Sequence, residues 1–189
     1  MVTYFTRTPS PKPAHARKVF AFVKLLPNDI STLGEKMNDM KLLAGQLNWA
    51  AQNLAYNLDF IPDDKLDWKP APTANSALEI VGHLLGVYHH IGKMMGDASS
   101  ASGETKTPTS RDEAKIKLVA AAEEYSYKLL ALSPEDMARE VDFPFGKFKL
   151  GFAASMPVTD TIHHHGQIAY IQSLLGDEES HFDFSLLPN

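Results

Sequence analysis

No cysteine occurs among the 189 residues. That absence excludes disulfide scaffolds, thiolate nucleophiles and every cysteine-bearing zinc or iron–sulfur site. A metal ion would have to be held by nitrogen and oxygen alone. Long apolar runs are missing too: no stretch approaches the ~20 residues needed to cross a bilayer. A soluble, cytoplasmic protein without a membrane partner is therefore expected. There is no His-Glu-x-x-His, no phosphate-cradling glycine-rich loop and no Gly-x-Ser-x-Gly elbow, so the common zinc-protease, nucleotide-binding and serine-hydrolase signatures are absent. Carboxylate-bridged di-iron bundles need Glu-x-x-His on two helices, and Glu79 to His83 has the wrong interval.

Positive charge is scarce in the body of the chain. Eighteen basic against twenty-three acidic side chains give −5 overall. Residues 1–27 hold Arg7, Lys12, Arg17, Lys18 and Lys24 with no acid, so the remainder is more acidic still. A body of that charge repels phosphate backbones and argues against nucleic acid as the partner. Residues 1–36 are expected to be an N-terminal extension, flexible or loosely docked. Val19 to Val23 after Arg17-Lys18 loosely resembles a targeting segment, but Lys24 interrupts it and no small-residue cleavage site follows. The blander reading is an extension upstream of a start at Met37.

What remains is enough for one globular domain. Four segments carry helical periodicity, separated by stretches rich in Pro, Gly, Ser and Thr. The first spans roughly 35–59, with Met40, Leu43, Leu47, Ala50, Leu54 and Leu58 at three- and four-residue steps. The second reads 76–96. The third opens with an expected capping box, Ser110 with Glu113, and its stripe is Leu118, Ala122, Tyr125, Leu129 and Leu132. Ser133-Pro134 starts a short turn, and 141–152, with alternating aromatics, reads as an extended loop. The fourth segment ends at Gly176 and includes Pro157, at its first turn or at a kink. Little strand signal accompanies them. The expected fold is all-α, a four-helix bundle over 37–178 with a C-terminal tail at 179–189.

Two of these segments place a histidine inside an apolar stripe. In the second, Ser76, Ile80, His83, Val87, His90 and Met94 share one face; in the fourth, Pro157, Thr161, His164, Ile168, Ile171 and Leu175 do so. At ~100° per residue, only one of His163, His164 and His165 can point squarely inward, and the stripe selects His164. Asp160 precedes it by one turn, ~6 Å along the axis, so both side chains can reach one ion. His83 would supply a third ligand, giving two imidazoles and a carboxylate with open positions. Glu79 and Gln167 are candidates to orient the imidazoles, and Glu79 is also a candidate base. The same spacing equally fits a His–Asp salt bridge and a hydrogen-bonded core histidine. His90 is too far from His83 to share its ion; His89, His15 and His181 read as incidental. Trp49, Trp68, Tyr88 and Tyr170 could line a pocket, although aromatics at helical spacing are usually core.

Over residues 37–177 the chain resembles the DinB/YfiT-like superfamily of four-helix bundles with a divalent metal between the helices. The resemblance rests on Leu66-Asp67-Trp68-Lys69-Pro70-Ala71-Pro72, on Glu79-Ile80-Val81-Gly82-His83-Leu84, and on His164-His165-Gly166-Gln167. It implies that His83 and His164 are metal ligands. Asp160 stands where the family commonly has another histidine, so nickel or zinc is implied by the family and iron(II) also suits the His-His-Asp set. The resemblance further implies a homodimer and a transferase that uses a low-molecular-weight thiol on a small electrophile. Hydrolysis by metal-bound water and a non-catalytic metal or small-molecule binding bundle are the alternatives.

Overall fold

The computed structural model describes residues 33–96 and 106–186. The extension before residue 33 lies outside the described residues, as do His15 and the targeting-like segment. Helix α1 spans Leu33–Asn57 and runs through Met37 without a break, so the boundary expected at 36/37 falls inside a helix. Two short 3-10 turns follow, and then α2 spans Ala77–Met94, α3 Arg111–Ala131 and the one-turn α4 Pro134–Ala138. Strands β1 (Glu140–Phe143) and β2 (Gly146–Lys149) lead directly into α5, Leu150–Leu174.

The four long helices form the expected bundle, with α1 and α2 each packed against both α3 and α5. The stripes expected on α1 and α3 are the buried ones: Leu47, Leu54, Leu58, Leu118 and Leu129 are fully enclosed. Each such side chain contributes about 1.5–3 kcal/mol by leaving water. Buried polar groups are paired across the helices. The Tyr125 hydroxyl donates to the Ala154 carbonyl at 3.0 Å, and the Gln172 amide donates to the Asn57 carbonyl at 2.9 Å.

Helix α2 departs from expectation in phase. Its buried face runs through Ala77, Val81, Leu84, Tyr88 and Ile91, while His83 and His90 are exposed. Apolar residues occupy most of this helix's circumference, so periodicity alone could not select the inner face. Its start is a capping box: Ser76 Oγ accepts from the Glu79 N–H, and the Glu79 carboxylate accepts from the Ser76 N–H. The box expected on α3 is only half formed. Ser110 caps the Glu113 N–H, but the Glu113 carboxylate turns to the N–H and hydroxyl of Thr109 instead.

The segment read as a loop at 141–152 is a β-hairpin followed by the first turn of α5. Its register pairs Glu140 with Lys149, Val141 with Phe148, Asp142 with Lys147 and Phe143 with Gly146. One face is charged, with Lys147–Asp142 at 3.4 Å and Lys149–Glu140 at 3.5 Å; the other carries Val141, Phe143 and Phe148. Gly146 closes the turn at φ 150°, which a side chain would resist. Because α5 begins at Leu150, Pro157 sits inside the helix rather than in its first turn.

The C-terminal residues pack on α1. Asn53 donates to the Asp183 carbonyl and accepts from the Asp183 N–H, Asn57 donates to the His181 carbonyl, and Phe182 lies edge-on to Trp49. No helix among the described residues is long and apolar enough to cross a membrane.

Candidate metal centre

Asp160 stands between two imidazoles. Its Oδ2 lies 3.1 Å from His83 Nε2 and its Oδ1 lies 3.5 Å from His164 Nε2. One ligand atom from each of His83, Asp160 and His164 can be chosen so that all three lie within 4.8 Å of one another. The three residues expected from spacing are therefore together, brought there by α2 and α5. They differ in exposure: the His164 side chain is 9% exposed, Asp160 29% and His83 45%. His83 is thus at the mouth of the site rather than in the core.

The protonation pattern fits a cation. His164 Nδ1 lies 2.6 Å from Gln167 Oε1, while the Gln167 amide nitrogen donates to His163 Nε2 at 3.0 Å. With the amide so placed, Nδ1 carries a proton, and in the neutral ring Nε2 presents its lone pair toward Asp160. Burial, the largest influence, lowers the His164 pKa, against the Gln167 hydrogen bond and the Asp160 charge, which favour protonation. A lone pair facing a carboxylate is repulsive unless a positive charge lies between them. Two imidazoles and one carboxylate are a donor set that suits a divalent ion with open positions.

Gln167 is thus hydrogen-bonded to the His164 ring, as a group that orients the imidazole would be. Glu79 is not so placed: its carboxylate is held by Lys69 Nζ at 2.6 Å and by the Ser76 N–H at 2.9 Å, at the start of α2. The hydrogen bond to Lys69 is the main cause that lowers its pKa, and the Ser76 N–H adds to it.

A feature missed in the sequence fixes the helices just below the triad. The Thr161 hydroxyl donates to the Pro157 carbonyl at 2.6 Å, so its oxygen is left to accept from the buried Tyr88 hydroxyl, also at 2.6 Å. This bridge ties α2 to α5 one residue from Asp160. Tyr88 at a core spacing gave no hint of a partner. The other histidines go elsewhere. His165 Nε2 meets Asn57 Oδ1 at 3.0 Å, and burial lowers its pKa. His181, taken as incidental, is stacked on Phe60 at 3.4 Å and bonded to Asp177 at 2.7 Å.

Beside the triad a cavity of about 1010 Å³ opens, walled by α2, α5 and the hairpin, with His83, Asp160 and His163 at its edge. Gly82, on its floor, also permits a close approach of the chain: a methyl group there would come within 2.8 Å of Thr107 Oγ1.

Comparison with known proteins decides the family. The family model for the DinB superfamily matches residues 46–168. This chain belongs to the DinB superfamily. As a DinB-superfamily member it is similar to the uncharacterized protein YjoA of Bacillus subtilis (strain 168), with 28% identity over 129 residues, covering 65% of this chain and 81% of that protein. The crystal structure of that DinB-like protein shares the fold, with a TM-score of 0.59 at 22% identity over 78% of this chain and 96% of the other.

Proposed function

We propose that this DinB-superfamily chain is a divalent-metal-dependent enzyme in which His83, Asp160 and His164 hold the ion. We further propose that it joins a low-molecular-weight thiol to a small electrophile. One observation carries the reading: three side chains able to ligate an ion, from two helices, converge at the edge of a cavity of about 1010 Å³ that has room for reactants. A divalent ion at such a site supplies positive charge that favours thiolate over thiol. The chain's own groups have separate tasks. Gln167 keeps His164 in the ligating tautomer, Asp160 supplies the negative charge, and the Tyr88–Thr161 bridge holds α2 and α5 in register. With no cysteine in the chain, the attacking sulfur comes from the second reactant.

In the transfer, the thiol sulfur forms a bond to the electrophilic carbon, the carbon–leaving-group bond breaks, the leaving group departs with the bonding pair, and the thiol proton passes to solvent. Nickel, zinc and iron(II) all suit the donor set. Hydrolysis is less well supported, because Glu79, its proposed base, is held by Lys69 and Ser76.

The test uses metal-loaded protein, a panel of low-molecular-weight thiols and 1-chloro-2,4-dinitrobenzene, following the thioether product by absorbance. Turnover that disappears with chelator and in His164→Ala is the expected result. Rates that neither treatment changes would overturn the reading. Metal uptake without turnover would leave a binding bundle, and ester cleavage without added thiol would point to hydrolysis.

A further inference from the structure

The cavity beside the triad has a composition that limits what can enter it. Its floor on α2 runs from Gly82 past Gly86 to His90 and Ile91. Seven residues separate His83 from His90, about 10 Å along the helix axis, so the space extends roughly two turns away from the triad. Among the described lining residues there is no lysine or arginine. Ionisable groups occur only at the ends: His83, Asp160 and His163 at one, His90 at the other. A carboxylate or phosphate lying along the middle would give up part of its hydration and find no lysine or arginine there to replace it.

The wall is aromatic. The hairpin and the first turn of α5 supply Phe143, Phe145 and Phe152. Phe143 and Phe145 have ring centroids 5.2 Å apart, and Phe143 lies 6.3 Å from the His90 ring. Phe145 is 70% exposed and Phe152 is 53% exposed, both on the cavity's rim. Two large apolar rings left facing water at the lips of a concave site are what a bound apolar surface would cover.

From this we infer that the cavity binds an uncharged small molecule carrying an aromatic ring. The ring lies against Phe143, Phe145 and Phe152, and the reacting end faces His83 and Asp160. The inference rests on the proposed function above, in which the triad is the reactive centre, and it names the class of electrophile.

Binding is tested on the full chain with N-phenyl-1-naphthylamine, a neutral aromatic dye that brightens in apolar sites, and with the anionic dye 8-anilinonaphthalene-1-sulfonate for comparison. The neutral dye is expected to saturate one site. Phe145→Ala and Phe152→Ala should each weaken it by about tenfold, since each removes one ring contact. Both residues are exposed, so folding should survive; unchanged circular dichroism checks this. Tyr127→Ala, which alters an exposed ring on α3 outside the cavity, should leave the affinity unchanged. Absence of neutral-dye binding, tighter binding of the anionic dye, or equal weakening by Tyr127→Ala would overturn the inference. Zinc titration of the same samples separates the two readings. Zinc uptake without dye binding sinks this inference alone, whereas dye binding as expected without zinc uptake sinks the metal reading alone.

Discussion

On one flank of α5, His164 presents Nε2 to Asp160 and, across it, to His83. On the other flank, one residue along, His165 presents Nε2 to the amide oxygen of Asn57 and stacks near Phe182 at 5.7 Å. Both imidazoles have a pKa lowered by burial. What separates them is the partner. Asn57 is a neutral amide whose other groups also have protein partners, the His181 carbonyl and Gln172, so nothing on that flank calls for a cation. Asp160 brings a full negative charge against two nitrogens, and that flank opens on a cavity. Residue type and the direction of the pKa shift do not set these two histidines apart; the charge and satisfaction of the partner do.

The sharpest way to break this contrast is to disable each flank separately. His164→Ala should weaken zinc binding by about a hundredfold or more, since it removes one of the three proposed ligands, as read by competition with a chromophoric chelator. Asn57→Ala should instead lower unfolding stability by about 2 kcal/mol or more while zinc affinity holds, because it leaves His165 and the His181 carbonyl without their partner. If Asn57→Ala abolished zinc binding in a still-folded protein, the two flanks would not be independent.

A smaller effect is expected from Gln167→Leu. Losing the group that fixes the His164 tautomer should cost about 10-fold in zinc affinity, with little change in the unfolding midpoint of the zinc-free protein.

The smallest expected effect concerns acid. Burial lowers the pKa of His165 in the fold, whereas in the unfolded chain it protonates near its ordinary value of about 6.5. Above that pH both states are neutral and stability is unaffected. As pH falls below about 6.5 the unfolded state binds the proton more readily than the folded state does, and stability declines until the pH has passed the lower folded value. His165→Gln should reduce the loss of stability between pH 7 and 5, measured by urea unfolding at each pH. An unchanged slope would mean that His165 is protonated within the fold.

Much of this was legible in the sequence. On α1, α3 and α5 the residues at three- and four-residue steps lie on the buried faces, Thr161 and His164 included, although exposed apolar residues such as Leu42, Ile116 and Ile162 fall outside those steps. Asp160 was placed correctly because a one-turn offset on a helix is a rigid relation. The phase of α2 was not legible, since that helix faces both the core and an apolar cavity and carries apolar residues toward both. The hairpin was missed although its signal was present. Glu140 and Asp142 alternate with Val141 and Phe143, and Lys147 and Lys149 flank Phe148, giving opposite charges at paired positions. The orienting hydroxyl bridge between Tyr88 and Thr161 had no sequence signature, because it depends on which two helices face each other.

Ten residues, Glu140 to Lys149, form an excursion between α4 and α5, with its own turn, register and charged outer face. They contribute a wall to the cavity but no member of the triad. Val141 anchors the excursion on Leu150 and Ala153, so it is the exposed positions such as Phe145 that can vary freely; under the proposed function, changes there would alter which molecules are admitted while His83, Asp160 and His164 stay in place.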